Sequence, residues 1–414
     1  HAGDRLVGVV GDSAAHAAGV VVDHAADRRD VGRSRIRAEL AAVWRQHLVG
    51  VAEDRTGADP GLEAFFEHLD PGEITLSRYG RVADGTTFTR RVRPGQTLFG
   101  KRRAYQRKAA YVEVDAICSG DILVFEAIPD RMSPRLLPFL VHSEAFFDHT
   151  LGTSAGSLSP RTSWKALADF EVALPEIDEQ ERVADLLWAI EEHRLAATGQ
   201  AEALLEAETQ RWESLVTGSL RAARSQKIGD AFPGICYGVV QPGDPVDSGT
   251  PLIRVTDLEG GAPEASKLKI IDVAIDKQYQ RSRVSAGDVL VSIVGTIGRT
   301  WTVTEELAGA NIARALAKLP AQPEKVRPNY LRAVLATPSY QATLVGSAFE
   351  TARKTLNLSV LRELEIPVPD MAQQDRLLAS ALVLEEAIRV SQEAAQSAQT
   401  LRDALLQEVF KGSS

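Results

Sequence analysis

Two similar stretches decide the organisation of this chain: FEVALPEIDEQERV, from Phe170 to Val183, and LEIPVPDMAQQDRL, from Leu364 to Leu377. At an offset of 194 residues a Glu, a Pro, a Gln and an Arg coincide, with apolar residues between them. The same offset, without a gap, aligns LVTG at 215–218 with VFKG at 409–412. One period of this length is too long for a solenoid. The pattern therefore predicts a duplicated domain, each copy of which is followed by a similar helix.

Each predicted helix has about 40 residues and would span ~60 Å at 1.5 Å per residue. The helices start after Pro175 and Pro369, and acidic residues near each start favour the helix dipole. Gly218 and Gly412 follow the two ends, where a glycine commonly stops a helix. Neither interior contains proline, so both segments are predicted to be continuous helices.

Steps of four and three residues place a seam of apolar and small side chains along each helix. The seam consists of Val183, Leu187, Ile190, Arg194, Ala197, Ala201 and Leu204 in the first helix, and of Leu377, Ala381, Leu384, Ile388, Ser391, Ala395 and Ala398 in the second. Because the two helices share a register, we expect them to pair in a way that resembles a coiled coil. We expect the pair to be antiparallel because each helix is followed by the start or end of its own repeat. The alternative is that each helix packs separately on its own domain.

The domains that precede the helices combine short strands and short helices. SGDILVFE at 119–126 and GDVLVSIVG at 287–295 have the pattern of a turn followed by a short buried strand, and residues 136–150 and 329–343 have helical patterns. The predicted class is mixed α/β. The predicted boundaries are 1–30 for an N-terminal extension of unclear order, 31–175 for the first domain, 176–225 for the central helix, 226–369 for the second domain and 370–414 for the C-terminal helix.

The composition of the chain excludes several classes of protein. The chain has 414 residues, of which 44% are hydrophobic and 25% charged, as in ordinary globular proteins. Two cysteines are too few for a disulfide framework. The apolar runs are shorter than the ~18 residues that a membrane span needs, and no signal peptide pattern is present. We expect a cytoplasmic protein.

The net charge of −9 is unevenly distributed. Residues 176–221 carry eleven acidic and four basic residues, whereas residues 78–108 carry ten basic residues and one acidic residue. A basic cluster of this density is typical of phosphate binding by a nucleic-acid-binding protein. The alternative is a solvated basic face without a ligand.

Few patterns of catalytic chemistry are present. GTSAG at 152–156 matches the nucleophile elbow of hydrolases, with Ser154 as nucleophile, but that motif requires a preceding strand, and here a helical pattern precedes it. The sequence contains no phosphate-binding loop, no dinucleotide fingerprint and no zinc-binding spacing. No histidine occurs from residue 194 onward, so two copies with a common task would not use histidine. The pattern favours a binding protein without catalytic residues and without a metal site.

Loops rich in Arg, Lys, Ser and Thr are the candidate binding sites, because such side chains contact phosphates and base edges. The candidates in the first domain are Arg90, Arg91, Arg93, Lys101, Arg102, Arg103, Tyr105, Gln106, Arg107, Lys108, Ser157, Ser159, Arg161 and Thr162. Those in the second domain are Lys267, Lys269, Arg299, Arg314, Arg353, Lys354, Thr355 and Asn357.

These features together resemble the specificity subunit of type I restriction-modification enzymes. The resemblance rests on the repeated apolar-Glu-apolar-x-apolar-Pro-x-x-x-x-Gln-x-Arg pattern, and it covers roughly residues 61–412. Supporting segments are GLEAFFEHLDPGE from Gly61, PGQTLFGKRRAYQRK from Pro94, GTSAGSLSPRTSW from Gly152 and AGDVLVSIVGTIGR from Ala286.

The resemblance implies two target recognition domains, each of which binds one half of a bipartite, asymmetric sequence in double-stranded DNA. The two helices would separate the domains and dock two methyltransferase subunits; motor-nuclease subunits would complete the complex. S-adenosylmethionine, ATP and Mg would bind to the partners and no cofactor to this chain, which would not itself be an enzyme. The residues implied in helix pairing and docking are Val183, Leu187, Ile190, Leu204, Leu377, Leu384, Ile388 and Leu405.

Three other functions remain open at this point. One is a DNA-recognition protein of the same fold in another defence system, with a different effector. The second is a protein-binding scaffold whose helices carry the function. The third is a hydrolase that uses Ser154.

Overall fold

A computed structural model describes residues 61–64, 66–85, 87–88, 90–154, 160–167, 169–170, 172–218, 224–258, 263–348 and 354–410. The predicted extension at 1–30 lies outside these residues, as do Ser157, Ser159, Arg353 and Gly412. The chain divides into two compact units. We call residues 1–195 and 396–414 the first unit, and residues 196–395 the second unit.

The first unit contains seven described strands and three short helices before the first long helix. The strands are β1 (Leu62–Ala64), β2 (Gly80–Arg81), β3 (Arg90–Val92), β4 (Thr97–Gly100), β5 (Ala109–Tyr111), β6 (Ala116–Cys118) and β7 (Ile122–Phe125). The helices are α1 (Leu137–Val141), α2 (Glu144–Thr153) and α3 (Trp164–Leu167), followed by the long helix α4 (Ile177–Thr217). One sheet has the order β2-β1-β6-β3 and the other β5-β4-β7. Phe99, Phe139, Phe146 and Phe147 lie at the centre of the core.

The second unit repeats this arrangement. Its strands are β8 (Ser225–Lys227), β9 (Cys236–Tyr237), β10 (Thr250–Ile253), β11 (Lys269–Ile271), β12 (Val289–Ser292), β13 (Thr300–Thr302), β14 (Asn311–Ile312), β15 (Leu316–Leu319) and β16 (Glu365–Pro367). Its helices are α5 (Ile228–Ala231), α6 (Val273–Gln278), α7 (Pro328–Ala336), α8 (Pro338–Gly346) and α9 (Leu358–Glu363), followed by the long helix α10 (Met371–Val409). The sheets have the orders β11-β10-β14, β13-β12-β15-β9 and β16-β8.

The strand pairing confirms the duplication. β1 pairs with β6 in parallel, as β10 does with β14. β4 lies antiparallel between β5 and β7, as β12 does between β13 and β15. The predicted mixed α/β class is therefore confirmed. The two helical patterns at 136–150 and 329–343 each form two helices rather than one. The breaks fall at Ser143, whose hydroxyl caps α2 by accepting from the Phe146 amide, and at Thr337, directly before Pro338.

The repeated glutamine explains why the motif precedes each long helix. In the first unit, Gln180 is buried; its Oε1 accepts from the Ser133 amide at 3.0 Å. Its Nε2 donates to the carbonyls of Arg131 at 3.0 Å and Pro175 at 2.9 Å. One side chain thus satisfies backbone groups on both sides of the helix start, which fixes the first turn of α4 to the loop before α1.

Gln374 makes the same three contacts in the second unit. Its Oε1 accepts from the Arg327 amide at 2.9 Å, and its Nε2 donates to the carbonyls of Lys325 at 3.0 Å and Pro369 at 2.9 Å. All three partners lie 194 residues after their counterparts. The glutamine of the repeated motif therefore fixes the start of each long helix to its domain by hydrogen bonds.

The two long helices pair in antiparallel fashion within each unit, which confirms the prediction. In the first unit, the start of α4 packs against the end of α10, where Glu191 accepts from Arg402 Nη1 at 2.7 Å. In the second unit, the end of α4 packs against the start of α10, where Arg211 Nη1 donates to Ser380 Oγ at 3.2 Å. The alternative that each helix packs only on its own domain is wrong.

The predicted seam positions face the interior of the pair. Leu187, Ile190, Arg194, Ala197, Ala201, Ala381, Ser391 and Ala398 are buried, and Val183, Leu204, Leu377, Leu384, Ile388 and Leu405 are half-buried. Small residues at the middle of the seam permit close approach of the two backbones. No helix of the described residues is both long enough and apolar enough to cross a membrane.

Candidate nucleic-acid interface

Two loops of the first unit lie side by side and carry most of its predicted binding residues. They are residues 101–108, between β4 and β5, and residues 160–163, before α3; we call them the first loop pair. The Thr162 amide donates to the Lys101 carbonyl at 3.0 Å, and the Arg103 amide to the Pro160 carbonyl at 2.8 Å. Folding therefore brings Arg161 next to a group of basic residues that lies 50 or more positions before it in the sequence.

The second unit contains an equivalent loop pair, residues 293–299 between β12 and β13 and residues 354–357 before α9. We call it the second loop pair. The Leu356 amide donates to the Ile293 carbonyl at 2.8 Å, and the Gly295 amide to the Lys354 carbonyl at 3.1 Å. Asn357 caps α9 by accepting from the Ser359 amide at 3.1 Å. The backbone geometry of the loop pair is thus repeated although its side chains differ.

Several cations of the basic segment are held by partners within the protein. Arg91 pairs with Asp115 at 2.9 Å, and this pairing holds the pKa of the aspartate below its usual value. Arg90 Nη1 donates to the Ile122 carbonyl. Lys108 Nζ donates to the Phe66 carbonyl at 3.1 Å and lies 4.6 Å from the centre of its ring. Arg90 and Lys108 therefore contribute positive potential from fixed positions, whereas the charge of Arg91 is neutralised by Asp115.

Asp121 is a candidate site residue that the sequence did not predict. Its carboxylate lies between Arg102, at 2.9 Å, and Arg161, at 3.6 Å. The two arginines come from the two loops of the first loop pair and form a β-bridge with each other. Because the carboxylate neutralises only one of two guanidinium groups, the cluster keeps a net positive charge that is held in place. The only signal in the sequence was an acidic residue directly before β7.

The remaining predicted residues of the first unit differ in accessibility. Tyr105 is 57% exposed at the tip of the loop, and Arg93 and Arg103 are exposed. Gln106 is half-buried, and Thr162 is buried, so its side chain is not on the surface. Burial and the neighbouring Arg90 lower the pKa of Lys101, as expected for an ammonium group in a basic, partly desolvated site.

In the second unit the predicted residues lie in three different places. Arg299, Lys354, Thr355 and Asn357 lie on the second loop pair, and Arg299 and Lys354 are exposed. Lys267 and Lys269 lie at β11, on a different sheet, where Lys267 pairs with Glu264 at 3.0 Å. Lys269 Nζ donates to the Gly243 carbonyl at 2.7 Å. Arg314 is exposed in the turn between β14 and β15. The second loop pair is accordingly much less basic than the first.

The GTSAG segment does not have the arrangement that a nucleophile elbow needs. Gly152 and Thr153 are the last residues of helix α2, so a helix and not a strand precedes Ser154. The Ser154 hydroxyl donates to the Thr150 carbonyl at 2.7 Å, as helix-terminal serines commonly do. The hydrolase hypothesis therefore loses its structural basis. Among the described residues, no group of three or more His, Cys, Asp or Glu side chains could hold a metal ion.

A buried ion cluster joins the helix pair to the domain in the first unit. Glu191 accepts from Arg194 Nη2 and from Arg402 Nη1, both at 2.7 Å. Arg194 also pairs with Glu73, and Arg402 Nη2 donates to the Gly72 carbonyl at 3.4 Å. Burial raises the pKa of Glu191, but the two guanidinium groups outweigh it and hold that pKa below its ordinary value.

The corresponding contact between the helix pair and the domain is less tightly packed in the second unit. A cavity of about 430 Å³ opens there between the helix pair and α7, with Trp212, Ala333 and Leu382 in its lining. At the positions 194 residues before Ala333 and Leu382, the first unit has Phe139 and Trp188, whose rings lie 5.2 Å apart. The second unit thus has Ala333 and Leu382 where the first has two aromatic rings, and Trp212 where the first has Leu406.

Exposed apolar side chains on the long helices are a second set of candidate residues in each unit, separate from the seam. In the first unit these are Leu186, Leu195 and Leu401, and in the second they are Leu205, Leu382, Val383 and Val390. The sequence analysis assigned helix pairing and partner docking to one set of residues. Those residues are half-buried or buried in the seam, whereas the exposed residues alternate with them around each helix.

Comparison with known proteins agrees with this architecture. No protein-family model matches the chain. The chain is 43% identical over 144 residues to the specificity subunit of the type I restriction enzyme EcoBI from Escherichia coli. That match covers 35% of this chain and 30% of the relative, so the chain spans less than a third of the curated relative that it matches.

Two solved structures share the fold over most of its length. One comes from work on complex assembly and conformational transition of the type I R-M system; it has a TM-score of 0.57 at 18% identity and covers 85% of this chain and 91% of that one. The other is a type I restriction-modification S subunit from M. genitalium, with a TM-score of 0.50 at 13% identity and coverage of 84% and 91%. The fold of this chain is therefore the fold of type I S subunits.

Proposed function

We propose that this chain is the DNA-specificity subunit of a type I restriction-modification system. The observation that carries the proposal is the duplicated loop pair: two units of one fold present the same backbone arrangement with different side chains. The homology to a type I specificity subunit and the shared fold of the S subunits support the same conclusion.

Each unit binds one half of a bipartite target. The first loop pair presents a dense, positively charged surface, with Arg102 and Arg161 held by Asp121. The second presents Arg299 and Lys354 beside neutral side chains. Because sequence is recognised by side chains at base edges, two unlike loop pairs select two unlike half-sites. The target is therefore asymmetric.

Double-stranded DNA binds mainly to the first loop pair and its neighbouring cations by charge. Backbone carbonyls that already fix Arg90 and Lys108 reduce the entropy lost when those side chains meet phosphates. The affinity depends steeply on salt, because each neutralised phosphate releases condensed counterions.

The helix pair holds the two units and docks two methyltransferase subunits through the exposed apolar residues of α4 and α10. Those partners bind S-adenosylmethionine and methylate the target, and motor-nuclease subunits that use ATP and Mg cleave unmethylated DNA in the cytoplasm. This chain contributes recognition and assembly and catalyses no step itself. A role with a different effector in another defence system is not favoured, because the similar proteins belong to type I systems.

The test is a genome-wide map of DNA methylation in the host with and without this gene. The proposal expects that deletion removes methylation at one bipartite, asymmetric motif and that the intact gene restores it. A methylation pattern that is unchanged by deletion, while the methyltransferase partner is expressed and active, would refute the proposal.

A further inference from the structure

The loop between β4 and β5 contains two residues in an unusual backbone conformation. Arg103 has φ 50° and Arg107 has φ 52°, in the left-handed region that disfavours residues other than glycine. Among the described residues of the chain, only Asp130 is a further non-glycine residue with positive φ. The two arginines bracket the short 3-10 turn at 104–106.

The repeat shows what the backbone itself requires at these places. In the second loop pair the corresponding residues are Gly295, with φ 79°, and Gly298, with φ 85°. Gly295 corresponds to Arg103 because each amide donates to the carbonyl of the facing loop, that of Lys354 and that of Pro160 respectively. The fold therefore calls for a left-handed residue twice in each loop, and only the first unit uses arginine.

The structure explains the arginine at 107 by contacts inside the protein. Both Nη atoms of Arg107 donate to the Glu144 carboxylate on α2, and the guanidinium carbon lies 5.1 Å from the centre of the Phe147 ring. These contacts compensate for the backbone conformation. They also fix the loop to the domain.

Arg103 has no such explanation. Its side chain is exposed, and it makes no hydrogen bond, ion pair or aromatic contact to any residue that the structure describes. Its neighbour Arg102 is held by Asp121 at 2.9 Å. A side chain at 103 therefore disfavours the backbone conformation that the loop adopts, and no contact within the described residues compensates for this cost. We take this as an indication that the side chain binds something outside the protein.

We propose that Arg103 is a specificity-determining residue that binds a guanine in the half-site of the first unit. This inference rests on the function proposed above. A phosphate contact would not require this particular position, because the same segment offers many other cations and phosphates lie all along the duplex. A bidentate contact to guanine O6 and N7 requires a guanidinium fork at one position and orientation, and a backbone fixed by the Pro160 carbonyl supplies such an anchor.

Two variants and a matched control test this assignment in the full chain purified with its methyltransferase subunits. Arg103→Gly removes the side chain and relieves the backbone, so it is expected to raise Tm by about 2–4 °C. Gly295→Arg is the control for the backbone claim: no atom lies within 4 Å of a Cβ added there, so φ alone should lower Tm by a similar amount. Arg103→Lys keeps the charge and the backbone cost but loses the planar fork.

Binding is then measured on the selected target and on duplexes with each base pair of the first half-site changed, including a 7-deazaguanine scan. Wild-type protein should lose about 10–100-fold in affinity when one particular guanine is altered. Arg103→Gly should bind the intact target about as weakly as that altered duplex and should no longer distinguish the two. Arg103→Lys should also lose most of the discrimination.

The outcomes distinguish the assignment of Arg103 to guanine from the specificity function on which it rests. If wild-type protein binds no sequence selectively, the specificity function itself fails. If wild-type protein is selective and Arg103→Gly keeps full discrimination, or weakens all sequences equally as a phosphate contact would, the guanine assignment is wrong and the specificity function stands. A fall in Tm for Arg103→Gly would contradict the argument from backbone conformation.

Discussion

Glu191→Gln tests whether the buried ion cluster stabilises the first unit. The carboxylate is 1% exposed and lies between the guanidinium groups of Arg194 and Arg402. Glutamine has nearly the same shape, but it removes the charge and can accept through only one oxygen. The change leaves the buried guanidinium of Arg402 with one charged partner, the exposed carboxylate of Asp403 at 3.4 Å from its Nε.

Loss of one partner from a buried ion pair costs about 3–5 kcal/mol. Because Arg194 keeps Glu73 as a second partner and glutamine retains one acceptor, we expect the lower end, ~3 kcal/mol. For a unit of roughly 200 residues this corresponds to a fall in Tm of about 6–12 °C. The control is Glu385→Gln, at the position 194 residues later, where the side chain is 56% exposed and its nearest cation, Arg332, is 4.0 Å away. That variant should change stability by less than ~0.5 kcal/mol.

The assay is thermal and urea unfolding of the full chain, with near-UV circular dichroism as the probe of tertiary structure. The two units can unfold separately, so the transition of each is fitted by itself. Equal effects of Glu191→Gln and Glu385→Gln, or no effect of either, would refute the reasoning that burial and pairing decide the stability of the joint.

Three further outcomes are expected. The pKa of Glu191 is lower in the folded chain, so its contribution to stability is present above the ordinary pKa of about 4.3 and is lost as pH falls through the folded value. Unfolding measured at pH 3–7 should therefore show the stabilities of wild type and Glu191→Gln converging in acid. A difference in stability that stays constant with pH would contradict this. Leu382→Trp, which copies the first unit, should fill part of the 430 Å³ cavity and raise Tm by about 2–4 °C for ~1 kcal/mol; a lower Tm would show that the cavity cannot accept the ring. Gln374→Ala removes three buried hydrogen bonds and should cost about 3 kcal/mol in the urea transition of the second unit, whereas a loss below ~1 kcal/mol would mean that the fastening at the helix start is not needed.

The features that sequence predicted well are those set by local chemistry and periodicity. The two long helices begin two residues after Pro175 and Pro369, and the seam spacing identified their buried faces. The internal repeat supports the prediction of both helices, because the same pattern occurs in two copies that must be explained by one structure. The pairing was predicted from the shared register of the helices, and its antiparallel direction from the position of each helix in its own repeat.

The features that sequence missed depend on contacts between distant residues. The partners of Arg102 and Arg107 are Asp121, in the turn before β7, and Glu144, in α2. Composition alone could therefore not separate fixed cations from exposed ones. The left-handed conformation of Arg103 was hidden as well, because arginine carries no turn signal. Comparison with Gly295 in the second copy would have indicated it, had the two loops been aligned residue by residue.

The proposed function requires that each unit recognises its own half of the target. The direct test is a triple variant in which Lys101, Arg102 and Arg103 of the first loop pair are all replaced by alanine, with the bound motif determined by selection from randomised duplexes. We expect weaker binding with a smaller salt slope, and loss of base preference in one half-site while the other half-site and the gap remain unchanged. An unaltered motif, or equal loss in both halves, would contradict the claim.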